Sequence, residues 1–188
     1  MQRRPEGVGK NAVANEWKDS GVTDQPLYAE LGFTDAEWGL LTGLPQSVLT
    51  AASAASPDSA RKTRAESAAG LDRISDARAS ASPLVAAIAR TAVAEAGDPE
   101  IGEEAPVIQP SDPAGYAADV VGRAAEVSAL LAAKASPADA ETYKHWLVEI
   151  ADEVVGAAST GGLLGIGGET VTESERTFRD DLAKALAS

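Results

Sequence analysis

Four residues on one predicted helix have the types and spacing that could support chemistry. His145 is the only histidine in the chain, and three carboxylates share its predicted helix face. Their successive spacings of four, four and three residues give the set Glu141, His145, Glu149 and Asp152. An imidazole beside carboxylates could hold a divalent cation, bind a polar small molecule or act as a general base. The opposite face of the helix is aliphatic, so a solvated polar face explains the same pattern, and we prefer that simpler interpretation.

Several established kinds of active site are disfavoured because their residues are missing. A two-metal carboxylate bundle uses a Glu-x-x-His motif on each of two helices, and this chain has one histidine and no such motif. No Gly-x-Ser-x-Gly sequence occurs, which leaves a serine triad unsupported. Cysteine is absent, which excludes disulfides, thiolate zinc sites and cysteine nucleophiles together.

A glycine-rich stretch spans residues 161–168 and reads Gly-Gly-Leu-Leu-Gly-Ile-Gly-Gly. It differs from a phosphate-binding loop because no Gly-Lys-Ser/Thr follows it. The next helix start instead carries the acids Glu169, Glu173 and Glu175, which would compete with a bound anion. Calcium or magnesium is a weaker alternative, since helix capping already accounts for Glu175.

The apolar residues of this stretch predict that it does more than connect two helices. They are Leu163, Leu164 and Ile166. Burial of each side chain is worth about 1.5–3 kcal/mol, so leaving all three in water is unfavourable. The stretch therefore either folds back to close one end of a bundle or presents a contact site.

Residues 1–32 form a polar arm with one short helical pattern, Asn11–Asp19. Val13 and Trp17 lie four residues apart and would share one face of that helix. A large aromatic side chain is costly to leave in water, so Trp17 is expected to dock, on the same chain or on a partner.

The elements that position these residues are predicted to be helices. Two capping boxes and three serine–proline pairs mark most of the starts. The starts are expected near Thr34, Ser56, Ser82, Asp112, Ser136 and Thr172. The first helix is expected to end near Gly43, with Pro45 opening the next. The fold class is therefore all-α: a bundle of about six or seven alanine-rich helices with a mobile N-terminal arm.

The predicted domains are an arm over residues 1–32, partly disordered or docked, and one bundle over residues 33–188. A proline-rich, acidic crossing loop at 97–113 separates two halves of the bundle. Two small domains are the alternative. A single domain is preferred because neither half has enough apolar residues to close a core alone.

Composition limits the partners. Net charge is −13, from 29 acidic against 16 basic residues. Such a surface repels phosphate backbones and anionic lipid, so nucleic acid and membrane surfaces are disfavoured. No apolar run is long enough to span a membrane and no signal peptide is recognised, which predicts a cytoplasmic protein of the bacterial-cytosol type.

These observations predict a non-enzymatic helical interaction or regulatory module with no cofactor and a protein as its partner. The expected contact residues are Val13, Trp17, Leu163, Leu164 and Ile166. The alternative is a metal- or small-molecule-binding helical protein that uses the face of Glu141, His145, Glu149 and Asp152. Oligomeric state stays open.

Overall fold

A computed structural model describes residues 27–56, 60–96, 108–159 and 171–188. Its helices are α1 Leu27–Glu30, α2 Asp35–Ala54, α3 Ala60–Asp76, α4 Pro83–Ala96, α5 Pro113–Lys134, α6 Pro137–Ser159 and α7 Glu173–Leu186. A short 3-10 turn, Ala77–Ala79, connects α3 to α4. No strand occurs in these ranges, which confirms the predicted all-α bundle. None of the helices described is both long and apolar enough to cross a membrane.

Two helices begin with the capping boxes that their sequences predict. At α2, the Thr34 side chain accepts from the backbone N–H of Glu37 at 3.3 Å, and the Glu37 carboxylate accepts from that of Thr34 at 2.8 Å. The start of α7 repeats this exchange between Thr172 and Glu175, at 3.2 and 2.6 Å. Asp112 caps α5 through its side chain, again as predicted.

Serine caps open two further helices. The Ser82 hydroxyl accepts from the N–H of Val85 at 3.2 Å, and the Ser136 hydroxyl accepts from that of Asp139 at 3.1 Å. The predicted start at Ser56 precedes residues 57–59, which lie outside the described residues, so its cap stays a prediction.

The six long helices run alternately up and down. Lys134 contacts Glu37 at 2.6 Å and Arg123 contacts Ser47 at 3.2 Å, which sets α5 antiparallel to α2. We call the end where α2, α4 and α6 start the first end of the bundle. The second end holds the starts of α3, α5 and α7, because the Ser56 hydroxyl, beyond the end of α2, bonds that of Thr172 at 3.0 Å.

Helix α2 lies at the centre and packs against α3, α4, α5, α6 and α7. Twelve of its 20 residues are buried, more than a surface helix allows. Leu44 from α2, Ile88 from α4 and Leu131 from α5 belong to the same buried cluster. One core therefore includes helices from both sides of the predicted crossing loop, whose residues 97–107 lie outside the described ranges.

The predicted helix end near Gly43 is wrong, because α2 continues through Gly43 and Pro45 without a break. Proline has no N–H, so the carbonyl of Leu41, four residues earlier, lacks its helical donor. The hydroxyl of Tyr143, which is fully buried, donates to that carbonyl at 2.7 Å. Burial raises the pKa of the Tyr143 hydroxyl, which keeps its proton available for this bond.

Gly70 on α3 marks the closest approach between helices. A Cβ atom at this position would lie 2.7 Å from the side chain of Leu49 and 2.8 Å from that of Val154. Both distances are too short for carbon atoms, so glycine lets α3 pack directly on α2 and α6.

Candidate functional site

The polar face predicted on α6 is turned outward by the apolar residues behind it. Tyr143, Leu147, Ile150 and Val154 are fully buried in the core. Because these positions repeat at three- and four-residue intervals, the remaining positions of α6 point away from the core. The carboxylates and the imidazole of the predicted set therefore lie on or near the surface.

Glu149 is the member of the set with the most partners. One of its carboxylate oxygens forms an ion pair with the guanidinium of Arg73 on α3. The other lies 3.5 Å from Nδ1 of His145. The side chain of His145 is 73% exposed, so this contact is in water and fixes the imidazole weakly.

The two other carboxylates pair with different cations. Asp152 accepts two hydrogen bonds from Arg179 on α7, at 2.9 and 3.4 Å. Glu141 lies 3.9 Å from Lys144 on its own helix. Among the residues that the structure describes, no group of three histidine, aspartate or glutamate side chains is placed to hold a metal ion. The structure thus brings His145 and Glu149 together, whereas Glu141 pairs with Lys144 and Asp152 pairs with Arg179 on α7.

An open cleft of about 930 Å³ lies along the first half of α6, beside the 3-10 turn and the end of α7. Its charged lining includes Arg73, Glu141, Lys144, His145 and Glu149. Its larger apolar side chains are Val85, Trp146, Val148 and Leu186. This volume is within the range of small-molecule sites, so the arrangement can hold a polar ligand against an apolar wall. Asp152 is not part of the lining.

The predicted partner-contact residues all lie outside the described residues. They are Val13, Trp17, Leu163, Leu164 and Ile166. The structure describes the points where their segments join the bundle. The arm joins at Leu27, at the first end, and the glycine stretch joins between Ser159 and Val171, at the second end.

The junction of the arm with the bundle is firmly packed. Tyr28 stacks on Trp38, with ring centroids 5.8 Å apart, and Phe33 lies 6.3 Å from the same ring. The ammonium of Lys134, at the end of α5, donates to the carbonyl of Gly32 at 3.2 Å. Residues 28–33 are therefore held beside the first turn of α2 and the last turn of α5.

The contact between the outer sides of α2 and α5 was not identified from the sequence. The contacts of Glu37 with Lys134 and of Ser47 with Arg123 set the register that places Leu40 opposite Leu130. Both leucines are only partly buried.

Two buried side-chain atoms on α2 and α5 lack hydrogen-bond partners. Oε1 of Gln46 and Nε of Arg123 are buried and accept or donate no hydrogen bond. The guanidinium of Arg123 donates to the Ser47 hydroxyl on α2 and pairs with Asp119 on its own helix.

No family model matches the chain, no characterised protein matches it, and no solved structure matches it. Its function has therefore to be inferred from its own residues and their geometry.

Proposed function

We propose that this chain is a non-enzymatic helical interaction module that contacts a protein partner through the Trp17 arm, the glycine stretch 161–168, or both. The bundle is the scaffold in this proposal, and the two segments carry the contact residues.

The observation that carries the proposal is the large core to which the described helices contribute. Their large apolar side chains are buried or partly buried, and within the described ranges only Ile108 is exposed, at 57%. The described helices therefore supply a large core of their own. Large apolar residues that a core does not need are typical of contact surfaces.

The two segments join the bundle at opposite ends, so they represent two separate contacts. Helix α2 has 20 residues and separates these ends by about 30 Å. Each segment can consequently be changed without disturbing the junction of the other, which allows separate tests.

The arm is tested with the full-length chain as bait, followed by reconstitution with the purified partner. Trp17→Ala should weaken binding by about 2 kcal/mol or more, roughly thirtyfold in Kd. Asn15→Ala is the matched control, because Asn15 lies on the opposite face of the predicted arm helix. Equal binding by the Trp17→Ala and wild-type chains would remove the arm from the proposal.

The glycine stretch is tested with Leu163→Asp and Ile166→Asp, and Thr160→Asp adds the same charge just outside the apolar cluster as a control. A contact role predicts unchanged thermal stability and lost binding for the first two variants. A closing role at the end of the bundle predicts a lower melting temperature instead, since a charge would be buried. If neither property changes, the stretch has no contact role.

The cleft on α6 favours a second candidate, the binding of a polar small molecule. The specific observation is that His145, Glu141 and Glu149 share one cleft of about 930 Å³ with the indole of Trp146. Binding of a small molecule is favoured over binding of a metal ion, because the carboxylates of Glu149 and Glu141 already pair with Arg73 and Lys144.

The single histidine makes this second candidate simple to test. Its imidazole gives the only histidine signals in a proton–nitrogen NMR spectrum, so ligands and divalent cations can be screened without full assignment. Saturable shifts of these signals, with a raised melting temperature, support the candidate. Shifts that do not saturate, or that occur only with additives that denature the protein, would count against it.

A further inference from the structure

We draw no further inference here: the strongest candidate, the open cleft along the first half of α6, belongs to the site already described, and its charged lining, which carries both signs, selects no one class of ligand.

Discussion

Tyr143 connects two helices through a single hydrogen bond with a specific chemical reason. Pro45 removes the donor that the Leu41 carbonyl would have in a regular helix, and the Tyr143 hydroxyl replaces it at 2.7 Å. The bond is fully buried, so no water can take its place. The continuity of α2 therefore depends on a side chain that is 102 positions further along the chain.

The first prediction concerns this bond. Tyr143→Phe should lower the free energy of unfolding by about 1–3 kcal/mol, because it leaves a buried acceptor unsatisfied. Pro45→Ala restores a backbone N–H to Leu41, so Tyr143→Phe should have a smaller effect in that background.

Thermal or urea unfolding of the two single variants and the double variant measures this coupling. Tyr116→Phe, at a partly exposed position of α5, controls for loss of a hydroxyl alone. Strictly additive effects of Pro45→Ala and Tyr143→Phe would contradict the role given to this bond.

The second prediction compares glycines in two settings. Gly70→Ala should destabilise the bundle by about 1–3 kcal/mol, since its Cβ would lie 2.7 Å from Leu49. Gly39→Ala should stabilise α2 by up to about 1 kcal/mol, because its Cβ meets no atom of the described residues. Melting temperatures of both variants test the comparison. A loss of stability at Gly39 comparable to that at Gly70 would contradict this comparison.

At the level of the helix, local chemistry made the starts predictable. The capping boxes at Thr34 and Thr172 need only residues three positions apart, and both form as expected. The passage of α2 through Pro45 was not predictable, because its compensating donor comes from another helix. Sequence periodicity likewise placed the charged face of α6 outward, but it contains no information on which cations from α3 and α7 pair with Glu149 and Asp152.

The third prediction concerns the capping residue Glu37 and acid pH. Its carboxylate accepts from Lys134 and from the backbone of Thr34, which lowers the pKa of Glu37 to about 2. The ordinary value is 4.5, so the carboxylate contributes stability above pH 4.5 and loses it as the pH falls towards 2. The melting temperature of the wild type should therefore fall across this window more steeply than that of Glu37→Gln.

Glutamine keeps the reciprocal capping bond, so the comparison isolates the charge. Glu153→Gln removes an exposed carboxylate of α6 and provides the matched control. Parallel pH curves for the wild type and Glu37→Gln would exclude a role for Glu37 ionisation in acid stability.

Among the described residues, one buried cluster includes helices before and after residues 97–107. The fourth prediction is that unfolding is a single cooperative transition. Leu44→Ala and Leu131→Ala remove fully buried side chains from opposite sides of that segment and should each cost about 2–5 kcal/mol. Each variant should shift the transitions seen by tryptophan fluorescence and by circular dichroism equally. Two separate transitions, each sensitive to one variant only, would divide the chain into two domains.

The central position of α2 has a consequence for how the chain folds during synthesis. Helix α2 is made before α5, α6 and α7, three of the helices that cover it. Translation at 5–20 residues per second takes roughly 7–26 s to proceed from the end of α2 to the end of α7. During that interval the apolar surface of α2 lacks much of its cover, so it is exposed to water and to other apolar surfaces.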